Sequence, residues 1–370
     1  MRILLTANTA FALSNFRLGL IRALVRDGHD VVALVPDGPE TALLRAEGCA
    51  VHSLSMNRRG RNILEEARTL FGFYRTFRDV TPDVVFGYTI KNNLYGGVVA
   101  RMRGIPFIPN VTGLGTAFSE DGILKRALMR TYRAAFKTCP TVFFQNRYDM
   151  NLLVEHGQVA ERQAALLPGS GVDLQRFKAK PLPGTPDAPT FLYVGRLLWE
   201  KGVGEFVEAA QRVRKATPNA AFKLLGDLEH GGKDAIRKSQ VDRWQAEGHI
   251  EYLGRVEDVR DTLAQADCVV LPSYYREGTP RSLLEAAAMA RPIITTRTPG
   301  CEDVVRDGET GYLVAPRSVD DLVARMTDYI RMSPEHRSAM GHAGRTFMEQ
   351  SYDERLVIEA YLKTLDGIAN

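Results

Sequence analysis

The chain has 370 residues, more than one hydrophobic core usually covers, so we expect two domains. A composition of 45% hydrophobic and 25% charged residues excludes a largely disordered chain. The formal net charge of +4 hides an asymmetry: residues 1–170 hold 21 Lys or Arg against 14 Asp or Glu, and residues 171–370 hold 27 against 30. The basic first half is either an ordinary solvated surface or one that attracts an anionic membrane or substrate.

The four cysteines occur singly, without the CxxC spacing of a zinc site or a disulfide framework, which suits a reducing compartment. The apolar run at the start of the chain is too short for a secretory signal, and no segment has the length of uncharged apolar residues that spans a bilayer. We therefore expect a cytoplasmic protein.

In the first half, short apolar runs rich in β-branched residues or phenylalanine alternate with stretches of helical length. The predicted strands are residues 2–6, 30–35, 83–86, 107–111 and 141–144, and the predicted helices are 16–26, 39–47, 63–79, 93–103 and 124–138. Such alternation predicts a parallel sheet with helices on both faces.

Residues 166–190 are dense in Pro and Gly and are typical of a linker or surface loop. The alternation then restarts. The predicted strands are residues 190–194, 221–225, 250–253, 268–271 and 292–295, and the helices are 204–216, 259–264, 282–288 and 319–332. The fold class is therefore α/β, with two doubly wound domains in series. Ligands of such sheets bind beyond the carboxyl ends of the strands, so the informative loops follow these strands.

The loop after Val194 reads GRLLWEKG and places Arg196 and Lys201 between two glycines. A planar guanidinium and a compact ammonium both suit phosphate oxygens. An ordinary strand-to-helix loop with solvated charges is the alternative. The loop is neither a P-loop nor a GxGxxG turn, so the usual nucleotide fingerprints are missing.

The loop after Leu271 reads PSYYREGTPRSLLEAA. We predict Thr279 as the N-cap and Pro280 as the first residue of a helix whose N–H groups and dipole form an anion site. Glu277, just upstream, is suited to accept hydrogen bonds from hydroxyl groups. Glu285, inside the helix, can reach another hydroxyl pair, such as a ribose, if its face points into the cleft. The alternative is a capped surface helix with a solvated Glu285.

Together the two loops predict a ligand with a diphosphate flanked by two polyhydroxylated groups. Arg196, Lys201 and the helix N-terminus would bind the diphosphate, and the two glutamates would bind the flanking groups. A nucleotide-diphosphate sugar has this layout.

At this point the sequence resembles the retaining, family-four glycosyltransferases of GT-B fold, over nearly the whole chain. The resemblance rests on GRLLWEKG, on the E-x7-E element that ends at Glu285, and on PGCEDVVRDGETGYLV, in that order. TGLG at 112–115 and NFR at 15–17 make it most like the bacterial members that build undecaprenyl-diphosphate-linked glycans.

The resemblance implies two Rossmann-like domains that face each other across a cleft. Residues 1–168 with 353–370 would bind the acceptor, and residues 169–352 would bind the nucleotide sugar. The final helix, about residues 352–368, would cross back onto the first domain.

The resemblance also implies residue roles. Arg196 and Lys201 would stabilise the leaving diphosphate, and Glu277 would hold donor-sugar hydroxyls; these three are the catalytic candidates. The other predicted donor contacts are Gly195, Arg255, Val256, Gly278, Thr279, Pro280 and Glu285. The predicted acceptor contacts are Asn15, Lys91, Asn110 and Thr112.

The implied reaction develops charge on the departing diphosphate while the sugar becomes oxocarbenium-like, so preorganised cations and amides supply the catalysis. Attack from the leaving-group face lets the diphosphate act as the base, and no protein nucleophile is predicted. We expect no cofactor and no metal, with a UDP-sugar as substrate.

Two segments depart from the family pattern. TANTAFALSN stands where many relatives carry a Gly-Gly pair, and NVTGLG stands where many carry a histidine. For TGLG a tight turn is the alternative to a contact with the donor sugar or acceptor. For Lys91 the alternative is a solvated side chain.

Residues 124–137 place Leu124, Leu128 and Tyr132 at i, i+4 and i+8 among basic residues. This helix either lies in a lipid headgroup layer, with the basic loop 56–62, or packs on its own domain. The membrane hypothesis places the protein at the cytoplasmic face of the inner membrane, in peripheral contact with anionic lipid, where it extends a lipid-linked glycan. Nucleic-acid binding is not indicated, because no reader motif is present.

Two other functions stay open. A GT-B nucleotide-sugar 2-epimerase binds a similar donor between two such domains, although the two loops fit transfer better. A non-catalytic nucleotide-sugar-binding subunit is the second alternative.

Overall fold

The structure of the protein is a computed structural model, which describes residues 1–56, 63–114, 123–184, 188–228 and 234–369. The chain divides into two compact units. The first is Met1–Ser170 together with Glu354–Asn370, and the second is Gly171–Asp353.

The first unit holds one parallel sheet and the helices that alternate with its strands. The strands are β1 (Arg2–Thr6), β2 (Asp30–Val35), β3 (Ala50–Ser53), β4 (Val84–Tyr88), β5 (Phe107–Val111), β6 (Val142–Phe144) and β7 (Ala164–Leu166). The helices are α1 (Ala10–Phe16), α2 (Leu18–Arg26), α3 (Thr41–Ala46), α4 (Ile63–Val80), α5 (Gly97–Arg103), α6 (Ile123–Phe136) and α7 (Arg147–Glu155). A π-helical turn, Asn92–Gly96, leads directly into α5.

The strand order is β3-β2-β1-β4-β5-β6-β7, so the direction of winding reverses between β1 and β4. Leu4 of β1 lies opposite Val32 of β2 and Val85 of β4. The strands are apolar on both sides because one core covers each face of the sheet.

The second unit repeats this plan with six parallel strands. They are β8 (Thr190–Val194), β9 (Ala221–Leu225), β10 (Glu251–Gly254), β11 (Cys268–Leu271), β12 (Ile293–Thr296) and β13 (Gly311–Val314), in the order β10-β9-β8-β11-β12-β13. The helices are α8 (Val203–Ala216), α9 (Lys238–Ala246), α10 (Arg260–Ala264), α11 (Arg281–Ala288), α12 (Val319–Arg331) and α13 (Pro334–Ser351).

The last helix, α14 (Glu354–Ala369), belongs to the first unit. Its Val357, Tyr361 and Leu365 are buried in the core on one face of the first sheet. The Tyr361 ring lies 4.8 Å from the rings of both Phe86 and Phe143, centroid to centroid. Aromatic packing thus fixes the end of the chain to the sheet that the beginning of the chain forms.

The predicted α/β class and the two doubly wound sheets are confirmed, and every predicted strand is present within one or two residues. The first predicted helix, 16–26, is present as α2, which begins two residues later at Leu18, and the separate helix α1 before it was not predicted. β3, β7 and β13 were not predicted from the sequence, and neither were α7, α9 and α13. β3 and β7 lie at the edges of the sheet and have only four and three residues, none of them buried.

All four cysteines are buried free thiols. Among the helices that the structure describes, none is both long enough and apolar enough to cross a bilayer.

Candidate active site

The two loops singled out from the sequence start side by side in the second unit. β8 and β11 are neighbours in the sheet and the winding reverses between them, so the loops that follow them open at the same point. The backbone amides of Tyr274 and Tyr275 both donate to the carbonyl oxygen of Glu200, each at 3.0 Å. Backbone hydrogen bonds therefore hold the second loop against the first.

Two glycines make this close approach sterically possible. Gly202 ends the first loop at φ +76°, and a Cβ there would collide with the carbonyl oxygen of Pro272. Gly300 has φ +82°, and a Cβ there would collide with the carbonyl oxygen of Gly278. Backbone therefore packs on backbone on both sides of the second loop, where no larger residue fits.

Lys201 and Glu277, two of the predicted catalytic residues, form an ion pair. The Lys201 ammonium donates a hydrogen bond to Oε1 of Glu277, and each side chain is only 11% exposed. Ser273 Oγ donates to the same oxygen at 3.1 Å. The ammonium also lies 5.4 Å from the centroid of the Tyr275 ring. The predicted phosphate-binding cation and the predicted hydroxyl-binding carboxylate thus share one small, largely buried site.

The start of α11 differs from the prediction by one residue. Pro280 occupies the N-cap with φ −65° and ψ 112°, and the helix begins at Arg281. The assignment of Thr279 as N-cap was therefore wrong. The carbonyl of Pro280 accepts the amide hydrogen bonds of Leu283 and Leu284, which places Pro280 in the cap although its side chain cannot act as a capping group.

Glu285 is buried in α11 with only 8% of its surface exposed, so it is not a solvated surface residue. Nε of Arg281 donates to its Oε1 at 2.8 Å. Burial raises the pKa of the Glu285 carboxyl, and the neighbouring Arg281 opposes that shift. The pair is a second buried carboxylate-cation contact, on the helix that follows the second loop.

The remaining predicted donor contacts are spread along the carboxyl edge of the second sheet. Gly195 directly follows β8, its amide donates to the carbonyl of Leu225 at 3.0 Å, and Arg196 beside it is exposed. Arg255 and Val256 follow β10, two strands away from β8. The Arg255 guanidinium is 3.7 Å from the Asp227 carboxylate. The structure thus brings Lys201 and Glu277 into contact and leaves Arg255 elsewhere on the same edge.

Sequence reasoning missed Ser273, Tyr275 and Arg281. Each touches a predicted residue: Ser273 and Tyr275 contact the Lys201–Glu277 pair, and Arg281 contacts Glu285. Ser273 and Arg281 each lie four positions before the carboxylate they bind. That spacing on the helix was a usable signal for Arg281.

In the first unit, the four predicted acceptor contacts have different environments. Asn110, in β5, is fully buried and its Nδ2 donates to the Tyr361 hydroxyl at 3.1 Å. Nζ of Lys91 lies 2.5 Å from Oε1 of Glu66, so Lys91 is paired rather than solvated. Asn15 and Thr112 are half-buried.

A buried polar network lies where the winding of the first sheet reverses. Nδ2 of Asn92 donates to Thr6 Oγ1 at 2.7 Å, and Thr89 Oγ1 donates to Oδ1 of Asn92 at 2.8 Å. Nδ2 of Asn93 donates to the carbonyl of Asn110 at 2.8 Å. Thr89 adopts φ +71°, a left-handed conformation that is unfavourable for a β-branched residue. This network fixes the loop after β4 against β1 and β5.

The apolar residues predicted to share one face of α6 pack inside the first unit. Tyr132 is fully buried and Leu128 packs against the same core, while Arg130 and Arg133 are exposed. The alternative in which this helix packs on its own domain therefore holds for Tyr132. The side chain of Leu124, the segment 57–62 of the predicted basic loop and Gly115 of TGLG lie outside the described residues.

Residues 175–347 match the family described as "Glycosyl transferases group 1", and residues 13–170 match the "Glycosyl transferase 4-like domain". The chain belongs to the group 1 glycosyltransferases. These are the retaining family-four enzymes that the two loops resemble.

Two curated relatives of this glycosyltransferase act on diphospho-undecaprenol substrates according to their names. One is the N,N'-diacetylbacillosaminyl-diphospho-undecaprenol alpha-1,3-N-acetylgalactosaminyltransferase of Campylobacter jejuni, which is 25% identical over 100% of this chain and 99% of its own. The other is the UDP-Gal:alpha-D-GlcNAc-diphosphoundecaprenol alpha-1,3-galactosyltransferase of Escherichia coli, 26% identical over 72% of each chain.

Among solved structures, Anabaena Alr3699/HepE in complex with UDP and glucose superimposes with a TM-score of 0.81. The sequences are 18% identical and the match covers 99% of both chains. The glycosyltransferase therefore has the GT-B fold with two Rossmann-like domains. Among the described residues, no group of three or more His, Cys, Asp or Glu side chains is placed to hold a metal ion.

Proposed function

We propose that this glycosyltransferase moves an N-acetylhexosamine from a UDP-sugar to a polyprenyl-diphosphate-linked glycan, with retention and without a metal. The names of the Campylobacter jejuni and Escherichia coli relatives support the acceptor class, and the former supports the sugar. The solved complexes of HepE with UDP and with UDP-glucose support the uridine donor.

The observation that carries the proposal is the buried contact between Lys201 and Glu277. An ammonium has three N–H donors, so Lys201 can keep its hydrogen bond to Glu277 and still donate to a phosphate oxygen. Because the site is largely shielded from water, this charge acts more strongly on the departing diphosphate than it would in solution. Glu277, held by Lys201 and Ser273, is then oriented to accept hydrogen bonds from the donor sugar.

The other donor contacts follow from their positions along the same edge. Arg196 and the amides of Gly278 and Thr279 would share the diphosphate charge, close to the backbone at Gly195 and Pro280. Glu285 would accept hydrogen bonds from the ribose, and the hydrogen bond from Arg281 would orient its carboxylate. Arg255 and Val256 would lie beside the nucleobase.

We assign acceptor binding to the first unit and nucleotide-sugar binding to the second. Asn15, Lys91, Asn110 and Thr112 would contact the acceptor. All four lie in or just beyond elements at the carboxyl edge of the first sheet, the edge at which such sheets bind ligands.

Peripheral binding to anionic lipid is part of the proposal, and the outer surface of α4, α5 and α6 is its best-supported location. These helices lie side by side on one face of the first sheet and share one core. Together they carry nine Lys or Arg against three Asp or Glu. Leu64, Phe71 and Met102 on this layer are 69%, 66% and 70% exposed. Basic residues interleaved with exposed apolar side chains are typical of surfaces that bind at a lipid interface.

Vesicle sedimentation tests this surface. We expect binding to vesicles that contain anionic phosphatidylglycerol and little binding to neutral phosphatidylcholine. A Phe71→Ser/Met102→Ser variant should lose binding, whereas Leu43→Ser, which changes an exposed apolar residue of α3 on the other face, should not. Equal sedimentation with both vesicle types would contradict electrostatic docking.

A transfer assay tests the reaction. Thermal-shift screening of UDP-N-acetylgalactosamine, UDP-N-acetylglucosamine, UDP-galactose and UDP-glucose first selects the donor. Chromatography then follows transfer to a diphosphate-linked glycolipid, with and without EDTA. We expect product in both conditions, and a C2-epimeric nucleotide sugar formed from the donor alone would instead favour the epimerase alternative.

A further inference from the structure

Three arginines are almost fully buried among the residues that the structure describes, and two of them have obvious structural roles. Arg291, at 0% exposure, donates to five backbone carbonyls, including that of Ala266 at 3.0 Å. Arg337, at 3% exposure, donates to the carbonyls of Tyr329 and Ile330. In both, backbone oxygens replace the water that the buried guanidinium has lost.

Arg17, at 3% exposure, lacks this compensation. Its Nη1 donates to the carbonyl of the preceding Phe16 at 3.1 Å, and its guanidinium lies 4.7 Å from the centroid of the Tyr88 ring. Its Nε is buried without a hydrogen-bond partner, and no carboxylate pairs with it in the part of the chain that the structure describes. A guanidinium has five N–H donors, and removing its charge from water without a counter-charge costs several kcal/mol.

The polar groups near Arg17 are buried as well. Oδ1 of Asn110 has no hydrogen-bond partner among the described residues, and the Tyr88 hydroxyl is buried against Arg17 and Tyr361. Burial raises the pKa of the Tyr88 hydroxyl, which keeps it neutral and able to donate. Tyr88 ends β4, Asn110 lies near the end of β5, and Arg17 joins α1 to α2 after β1. The cluster therefore lies at the carboxyl edge where the winding of the first sheet reverses.

We propose that Arg17, with Tyr88 and Asn110, forms a phosphoryl-binding subsite that takes the diphosphate of the lipid-linked acceptor. The identity of this ligand rests on the proposed function. An anion is required because a neutral sugar hydroxyl would leave the buried charge uncompensated, and a guanidinium fork matches phosphate oxygens. The donor diphosphate has the same chemistry, but Arg196 and Lys201 of the second unit are already assigned to it.

The test compares Arg17→Met and Arg17→Lys with Arg291→Met as the matched control for a buried arginine. Isothermal titration measures binding of farnesyl diphosphate, inorganic pyrophosphate and UDP, and melting curves are recorded without ligand. Arg17→Met should melt no lower than the unaltered protein, because it removes an uncompensated charge. Arg291→Met should melt much lower, because it leaves backbone carbonyls unsatisfied.

Arg17→Met should bind farnesyl diphosphate about 10- to 100-fold more weakly, the range for a lost charged hydrogen bond. Arg17→Lys should bind it with intermediate affinity, and the affinity for UDP should stay unchanged in both. If the Arg17 variants bound UDP more weakly but farnesyl diphosphate as well as before, Arg17 would belong to the donor site, and the acceptor assignment would be overturned.

A large fall in melting temperature for Arg17→Met, with unchanged affinity for farnesyl diphosphate, would make Arg17 a structural residue and overturn the inference. The proposed function fails separately. If the unaltered protein binds UDP but not farnesyl diphosphate, the diphosphate acceptor itself is wrong. If the unaltered protein and Arg17→Met bind farnesyl diphosphate equally, only the subsite is wrong.

Discussion

Lys201 and Glu277 lie on different loops, 76 residues apart in sequence, yet they form an ion pair in which each side chain is 11% exposed. The contact forms because β8 and β11 are neighbours and because Gly202 lets the two loops touch. The position of one residue therefore depends on the presence of the other.

We expect Lys201→Ala and Glu277→Ala each to remove most transfer activity while leaving the fold intact. Each variant also leaves a largely buried charge without its partner, which should lower the free energy of unfolding by about 3 kcal/mol. The double variant should be destabilised by less than the sum of the two single changes, because it leaves no buried charge without its partner. Urea unfolding and steady-state kinetics measure both effects.

Lys223→Ala is the matched control for this prediction. Lys223 also pairs with a glutamate, Glu251, at 3.2 Å, but it lies in β9 away from the two loops. It should retain near-normal turnover and lose little stability. Near-normal turnover in both Lys201→Ala and Glu277→Ala would contradict the roles assigned to them.

Gly202→Ala tests whether the close approach of the two loops matters. The change forces an L residue into φ +76° and places a Cβ against the carbonyl of Pro272, so the first loop must move and take Lys201 with it. We expect a large loss of transfer activity in addition to lower stability.

Gly248→Ala separates the effect of backbone strain at positive φ from the effect of the clash with Pro272. Gly248 has a similar φ of +73° with open space around its Cβ position, so only the backbone strain of about 1 kcal/mol remains. This variant should transfer normally and melt slightly lower. Equal losses of activity in the two variants would show that strain alone explains the result at Gly202.

Alternation of apolar runs and helical stretches was sufficient to predict both doubly wound sheets, because buried parallel strands are apolar along their whole length. It was not sufficient for the edge strands β3 and β7, which have only four and three residues, none of them buried. It also did not reveal α1, a helix of only seven residues directly before α2. Edge strands and short helices depend on tertiary packing, which the alternation of apolar runs in the sequence does not record.

Residue types at the strand ends were sufficient to select the two loops and the residues within them. The pairing of Lys201 with Glu277 was not predicted, because each side chain was assigned separately to a phosphate or to a hydroxyl. Contacts between loops that are distant in sequence depend on strand order, which the sequence pattern alone does not give. Ser273 was overlooked for a different reason: it contacts Glu277 within one loop, where no helical spacing marks the contact.

The thiols should be unreactive in the folded protein. Burial raises the pKa of Cys49 to about 12 and that of Cys301 to about 11, and burial also raises the pKa of the other two cysteines. Only the thiolate reacts with Ellman's reagent, so no thiol should react rapidly at mildly alkaline pH, whereas four should react after unfolding. If one thiol of the native protein reacted rapidly with Ellman's reagent, and this reaction disappeared in the Cys301→Ser variant, the loop around Gly300 would have to open in the native state.

The buried carboxyl of Glu285 should make stability depend on pH with a definite sign. Burial raises the pKa of this carboxyl in the folded state above its ordinary value of 4.5. Between the unfolded and the folded pKa, the folded state therefore binds more protons than the unfolded state. Its contribution to stability is therefore present below pH 4.5 and is lost as the pH rises through the folded pKa. Relative to Glu285→Gln, which mimics the protonated form, the unaltered protein should lose stability on going from acid to neutral pH.

Asp258 provides a comparison of opposite sign. The hydrogen bond from Arg260 lowers its pKa from 3.8 to about 2, so its contribution is present above pH 3.8 and is lost as the pH falls toward 2. Urea unfolding of both variants, Glu285→Gln and Asp258→Asn, from about pH 3 to about pH 8 measures the two slopes, and the Asp258 slope should be small because that pair is exposed. A stability difference for Glu285→Gln that does not change with pH would mean that Arg281 fully offsets the burial of the carboxylate.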